Sequence, residues 1–182
     1  MSSSDRARQL RSLGRMSLIA LAGALALAAC TVRPLYGPAP SGAAGTTTVA
    51  ALAGIAVDPV TTRVAQQVRN RLIFSFAGGR EPSTPAYHLR LSVSSAEGAL
   101  GITPVESAPT YSITVSVTYE LTVAGTGAIV LRGTSRGTAS FDRVNQVYAN
   151  TRAKLDAENR AATLAADDIQ IRMASAAAKG TI

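Results

Sequence analysis

The chain has 182 residues and a net charge of +7, from 18 Lys and Arg residues against 11 Asp and Glu residues. This length suits one domain and leaves no room for two large ones. The single Cys excludes an intramolecular disulfide framework and a cysteine-rich zinc site, and the single His excludes a His-pair metal site.

The first 29 residues have the pattern of a secretory signal peptide. Four Arg residues precede an uncharged run, rich in Leu and Ala, over residues 16–29. This run is shorter than the roughly 20 apolar residues that span a membrane, and it fits the hydrophobic region of an export signal. Residues 1–29 are therefore predicted to be a signal peptide, with an uncleaved signal anchor as the alternative.

The run ends in Leu27-Ala28-Ala29-Cys30, which resembles the lipobox of bacterial lipoproteins. That resemblance implies lipidation of Cys30 and cleavage before it, with covalent acyl chains in place of any cofactor. A buried Cys after an apolar helix is the alternative. Three acyl chains exceed the two signals that stable membrane anchoring needs. Because Thr31 rather than Asp follows the Cys, resemblance to envelope lipoproteins implies the outer membrane.

Removal of the signal peptide also removes part of the positive charge. Residues 1–29 carry four Arg residues and Asp5, a net of +3, so the remaining chain has 14 basic and 10 acidic residues and a charge of +4. Export and the lack of aromatic residues near the remaining Arg residues argue against nucleic acid as a partner.

Residues 30–47 are predicted to form an acylated N-terminal tether, and residues 48–182 a single α+β periplasmic domain. The tether is rich in Pro, Gly, Ala, Ser and Thr, a composition that disfavours helix. Its segment Pro34-Leu35-Tyr36-Gly37 is more apolar than a plain linker and suits docking on a partner.

The first half of the domain predicts a strand, a helix and a second strand. Apolar residues alternate over residues 48–57, as in a strand. Asp58-Pro59 predicts a helix start, and apolar residues then recur every four positions until Gly78-Gly79 ends the helix. Alternation resumes at Tyr87 for the second strand, and residues 98–109, with two Pro and two Gly, predict a loop.

The second half predicts a β-hairpin followed by a long helix. Unbroken alternation over residues 111–123 predicts a long strand with one buried and one polar face. Gly125-Thr126-Gly127 predicts the hairpin turn, and residues 128–140 the returning strand. The predicted apolar face of this strand holds Ile129, Leu131 and Ala139, and its polar face holds Arg132, Thr134, Arg136 and Thr138. A narrow apolar stripe predicts the final helix over residues 148–178.

The order β-α-β-β-β-α predicts an α+β fold, a two-layer sandwich with two helices packed on one face of a four-stranded mixed sheet. The first strand, the helix and the second strand suit a parallel crossover, and the last three strands suit a meander. The sheet face away from the helices is predicted to be polar.

Three arginines on this polar face, Arg90, Arg132 and Arg136, are the candidate ligand-binding residues. The guanidinium group forms bidentate contacts with phosphate, so the predicted ligand is a phosphorylated lipid or the acidic surface of a partner. The alternative is that these residues keep a wide sheet face soluble or deter strand pairing.

The sequence does not predict an enzyme. No glycine-rich phosphate loop follows a strand, and His88, the sole His, has no Ser in a nucleophile motif. Asp167 and Asp168 are adjacent on a helix and point about 100° apart, which favours a solvated face over a metal or acid–base pair. We therefore predict no catalytic residue and no metal site.

The segment Cys30-Thr31-Val32-Arg33-Pro34-Leu35-Tyr36-Gly37 resembles the mature start of the lipopolysaccharide-assembly lipoprotein family, LptE, in its alphaproteobacterial branch. The Ala/Arg/Glu-rich run at residues 156–161 and the order of elements are also similar. The resemblance implies an outer-membrane lipoprotein that sits in the large β-barrel lipopolysaccharide (LPS) translocon, plugs it, aids its assembly and binds LPS. Arg90, Arg132 and Arg136 are the nearest counterparts, by chemistry, of the basic residues that contact the ligand in the family.

Two other functions stay open at this point. An accessory lipoprotein of an envelope lipid-transport ATPase would also be a compact α+β domain behind a lipobox. A periplasmic enzyme is the third possibility, and the missing nucleophile and base argue against it.

Overall fold

The computed structural model describes residues 43–100 and 110–182. The predicted signal peptide, Cys30, the first part of the predicted tether and most of the predicted loop over residues 98–109 therefore lie outside the described residues. Within them the elements follow the order α1 (Ala43–Ala53), β1 (Ile55–Val57), α2 (Arg63–Ala77), β2 (Tyr87–Leu100), β3 (Thr110–Val123), β4 (Ile129–Asp142) and α3 (Val147–Ala178).

The strands form one mixed sheet in the order β1-β2-β3-β4. β1 is parallel to β2, and the β2–β3 and β3–β4 pairs are antiparallel. α2 and α3 pack on one face of this sheet, and α1 packs against both helices. The predicted α+β sandwich with a parallel crossover and a meander is thus confirmed, with α1 as an additional element.

β3 forms the centre of the core because its alternation separates the two sheet faces. Every second side chain is buried beneath the helices: Ile113, Val115, Val117, Tyr119 and Leu121. The intervening Ser and Thr side chains lie on the opposite face, as the sequence predicted. The helices complete the core with Val68 and Leu72 of α2 and with Ile169 and Met173 of α3, all fully buried.

The predicted first strand over residues 48–57 is wrong for most of its length, because α1 occupies residues up to Ala53 and β1 has only three residues. The segment is rich in Ala, which is a strong helix former and has no preference for a pleated surface. Leu52 is buried in the core from its helical position. α1 also begins at Ala43, within the range that the sequence assigned to the tether.

The predicted start of the following helix at Asp58-Pro59 is also wrong. The Asp58 N–H donates a hydrogen bond to the Leu89 carbonyl oxygen (2.9 Å), so Asp58 continues the pairing of β1 with β2. The N-cap of α2 is Thr62, whose hydroxyl accepts from the Ala65 N–H. The predicted end is confirmed, since Gly78 adopts a φ of +64° at the C-cap.

Two further predictions at strand ends are wrong. Gly98, Ala99 and Leu100 were assigned to a loop, but they pair with residues 112–110 of β3. In β4 a bulge places Ile129, rather than Val130, opposite Thr122, so Ile129 lies on the polar face and is 54% exposed. The hairpin turn itself is confirmed, with positive φ values at Gly125 and Gly127.

α3 lies close to β4 because its inner side carries small residues. The buried alanines of α3 include Ala157, Ala161, Ala162, Ala165 and Ala166. Gly137 of β4 faces the backbone of Ala161 and Ala165, and the Ser135 hydroxyl donates to the Ala165 carbonyl oxygen (2.9 Å). Over the described residues, no helix is both long and apolar enough to cross a membrane.

Candidate functional site on the open face of the sheet

We call the face of β2, β3 and β4 that points away from the helices the open face. The strand register places on it Arg90 and the polar side chains that alternate with the core residues. Its hydroxyl-bearing members are Ser92, Ser94, Thr110, Ser112, Thr114, Ser116, Thr118, Thr122, Thr134, Thr138 and Ser140. No helix of the described residues covers this face, so it is available for binding.

The three predicted arginines all lie on the open face. The register aligns Arg90, Glu120 and Arg132 in one row across β2, β3 and β4. With strands about 4.8 Å apart, the two Arg backbones of this row lie about 10 Å from each other. Glu120 lies between them, a feature that the sequence did not reveal because register cannot be read from alternation.

Arg136 lies two rows further along, opposite Ser116 and Ser94. It lies four positions after Arg132 on β4, which corresponds to about 13 Å along the strand. Both side chains are exposed, and the structure gives neither an ion-pair partner within residues 43–100 and 110–182. The surroundings of Arg136 are hydroxyl groups, which can add hydrogen bonds to an anion held by the guanidinium.

A small polar cluster borders the open face at the β1 end. The Asp58 carboxylate lies 3.1 Å from Nδ1 of His88 and 3.9 Å from Nε of Arg90. Arg90 is nevertheless 71% exposed, so its guanidinium is accessible from solvent beside Asp58. His88 is occupied by Asp58, and the described residues contain no group of three or more His, Cys, Asp or Glu that would suit a metal ion.

The free side of β4 brings two further charged groups near Arg136. Arg136, Thr134, Asp168 and Arg172 line an open depression of about 500 Å³ between β4 and α3. The Asp168 carboxylate accepts from Nε of Arg172 (2.9 Å), and this bond raises the pKa of Arg172. Partial burial acts to raise the pKa of Asp168, but its hydrogen bonds outweigh burial and the pKa is lowered.

The two adjacent aspartates of α3 serve different partners. Asp167 pairs with Arg71 of α2 (2.8 Å), whereas Asp168 pairs with Arg172 of its own helix. They therefore do not converge on one point. The arrangement of the open face is suited to binding an anionic group through exposed guanidinium and hydroxyl groups.

Comparisons with known proteins identify the family and the fold of the chain. The model of the family LptE, described as lipopolysaccharide-assembly, matches residues 52–173. An inferred lipoprotein of Caulobacter crescentus CB15 is 27% identical, with a TM-score of 0.62, and the match covers 73% of this chain and 97% of that one. Rare lipoprotein B of Shewanella oneidensis is 19% identical, with a TM-score of 0.49 over 66% of this chain and 92% of that one. No curated protein matches.

The fold and the open face define a small α+β module with one polar, uncovered sheet face. The family match covers more than half of the chain, and the chain belongs to the LptE lipopolysaccharide-assembly family. This membership and the similar lipoprotein structure support a role in lipopolysaccharide assembly at the cell envelope.

Proposed function

We propose that this protein is an outer-membrane lipoprotein, anchored through acylated Cys30, that binds and plugs the β-barrel LPS translocon. In this role it aids assembly of the barrel and delivery of LPS to the cell surface, without chemical turnover and without a cofactor beyond its acyl chains. Residues 1–29 act as the signal peptide, the segment after Cys30 as the tether, and the α+β domain faces the periplasm and the barrel lumen.

The observation that carries the proposal, beside family membership, is the open face of the sheet. An antiparallel sheet commonly has one solvated face, and here three strands present mainly Ser, Thr and Arg on that face. The lumen of a wide barrel is polar, so such a face can lie against it without placing apolar side chains against polar ones. An acyl anchor keeps the domain near the membrane and raises its effective concentration at the barrel.

The proposed ligand contacts are Arg90, Arg132 and Arg136. LPS carries phosphate groups, and charge-assisted hydrogen bonds from arginine to phosphate are among the stronger ones in proteins. Glu120 lies between Arg90 and Arg132 and offsets part of their positive charge. We therefore expect Arg136 to be the most favourable single contact with a phosphate group.

The first test is a mild-detergent pull-down of the tagged, acylated protein from its own membranes. We expect a stoichiometric large β-barrel protein by mass spectrometry. A Cys30→Ala variant, which lacks the anchor, should recover less of it. Recovery of transport-ATPase components instead of a barrel would contradict the plug function and favour the accessory lipid-transport role.

The second test concerns the arginines. Replacing Arg132 and Arg136 with Asp should weaken binding of purified LPS about tenfold or more, because each lost charged hydrogen bond is worth about 1.5–3 kcal/mol. The matched control is Arg80→Asp with Arg152→Asp, which changes the charge equally on the helical side of the chain. An equal loss of LPS affinity in both double variants would show that the open face is not the LPS-binding site.

A further inference from the structure

The free edge of β4 is a second feature that binding through the open face does not use. β4 has 14 residues and pairs with β3 on one side only, at the end of the sheet order among the described residues. An unpaired strand edge presents backbone donors and acceptors that can bind another extended chain.

The hairpin geometry shows which backbone groups of β4 point outward. Val123 donates to the Ala128 carbonyl oxygen and accepts from the Gly127 N–H (2.9 Å each). The backbone N–H and C=O of Val123 therefore point toward β4. Because bonded and non-bonded residues alternate along an antiparallel pair, the even-numbered residues of β4 direct their N–H and C=O groups away from β3. Consistently, the outward Ser140 carbonyl oxygen accepts a hydrogen bond from Arg160 of α3 (2.8 Å).

Within residues 43–100 and 110–182, the outward backbone groups of Arg132, Thr134, Arg136 and Thr138 have no hydrogen-bond partner. They border α3, and two open depressions of about 500 and 380 Å³ run along this side of the strand. Leu164 of α3 lines one of them and is 52% exposed. An added strand would therefore meet backbone partners from β4 and an apolar contact from α3.

The charges beside the edge of β4 indicate which kind of segment would bind there as an added strand. On α3, Asp156 and Asp168 are each paired within the helix, with Arg160 and Arg172. Arg132 lies opposite Glu120 of β3, whereas Arg136 lies opposite Ser116 and has no ion-pair partner within the described ranges, so the excess of positive charge along the edge is centred on Arg136. A second copy of β4 would bring like charges together, whereas an acidic segment would complement them.

We propose that an extended acidic segment of the barrel partner pairs with β4 as a fifth strand. This inference rests on the proposed plug function, since it names how the barrel protein is held. A closed barrel wall has no free strand edge, so the segment is a loop or a terminus of the barrel protein that reaches into the lumen.

The test removes one outward N–H without breaking the β3–β4 ladder. Proline is tolerated at an edge position whose N–H faces away from the sheet, so we compare Thr134→Pro with Thr134→Ala in the full, acylated protein. Barrel recovery in the pull-down should fall at least tenfold for T134P and stay within twofold of wild type for T134A.

The other open edge supplies a matched control. The Leu89 carbonyl oxygen accepts from the Asp58 N–H, so the backbone N–H and C=O groups of the odd-numbered residues of β2 point away from β3. β1 pairs only with residues 87–89, so the outward groups of Ser95 lie beyond its end. Ser95→Pro therefore removes an outward N–H at the opposite edge. We expect S95P to retain the barrel, and equal loss in S95P and T134P would overturn the proposal.

The outcomes separate the edge from the plug function. If the wild-type protein retains no barrel, both proposals fail. If wild type and T134P retain it equally, the edge proposal fails and the plug function stands. If T134P does not fold, amide hydrogen exchange of wild type decides: the outward amides of residues 132–138 should exchange at least tenfold more slowly in the purified complex, and unchanged exchange would refute strand addition.

Discussion

Gly137 is a position at which the backbone of α3 lies very close to the sheet. A Cβ at this residue would overlap the Ala161 carbonyl oxygen and lie 2.8 Å from the Ala165 nitrogen. The contact is therefore between backbones, and it depends on the absence of side-chain volume on both elements. The buried Ser135 hydroxyl fixes the same pair of elements by its bond to the Ala165 carbonyl oxygen.

Gly137→Ala should destabilise the chain by about 1–3 kcal/mol, because α3 must move away from the sheet to admit one methyl group. Urea unfolding measures the change. The control is Gly98→Ala, where a Cβ would meet only the Ser112 hydroxyl at 3.6 Å, so its effect should stay within about 0.5 kcal/mol. Equal stability of the two variants would contradict the close approach.

At the scale of elements, α2 and α3 are joined by two different kinds of contact. Arg63 pairs with Glu158, and Arg71 with Asp167, across the helix surfaces. Beneath them Leu72 is fully buried in the shared core. Surface ion pairs contribute little because water screens them and two long side chains must be held in place, whereas a buried side chain contributes through packing and transfer from water.

Adjacent positions of α2 test this difference. Leu72→Ala should cost about 2–5 kcal/mol through the cavity that it leaves, and Arg71→Ala at most about 1 kcal/mol. Both values come from urea or thermal unfolding of the purified chain. A larger loss for R71A than for L72A would show that the surface pairs, rather than the core, hold the two helices together.

At the scale of the whole molecule, Glu97 ties together three distant parts of the chain. This residue of β2 accepts from Arg143, which follows β4 (2.6 Å), and from Lys154 of α3 (2.8 Å). The hydrogen bond from Lys154, with the charges of both cations, lowers the pKa of Glu97 below its ordinary value of 4.5 despite some opposing burial. Arg143 also lies over the Tyr111 ring, 4.0 Å from its centroid.

Glu97 should give the fold a pH dependence of a definite sign. Its folded pKa lies below the unfolded value, so the contribution is complete above about pH 4.5 and is lost as the pH falls through the lowered pKa. Glu97→Gln should therefore be less stable than wild type at neutral pH, and the difference should shrink in acid. Urea unfolding of both proteins at neutral pH and in acid measures this difference in stability. A difference that does not change with pH would show that the ion pairs of Glu97 do not stabilise the fold.

The long elements were predictable because their patterns have only one consistent interpretation. Thirteen alternating residues of β3 separate an apolar from a polar face, and a helix cannot produce that period. α1 was not predictable in this way, since Ala51 and Ala53 fit a strand or a helix equally well and only packing against α2 and α3 decides. The sequence placed Ile129 on the apolar face of β4, whereas the bulge turns it to the polar face. The bulge could not be predicted because no residue pattern marks its position.

The sequence alone determined the polar face and the three arginines on it, since alternation dictates which side chains share a face. The match of Cys30 and its neighbours to a lipoprotein start is also local, because processing of a signal depends on a few consecutive residues. The tertiary structure decided which strands are neighbours and hence that Glu120 lies between Arg90 and Arg132. It also decided that β4 is an open edge beside α3, because register and strand order arise from contacts between residues far apart in the chain.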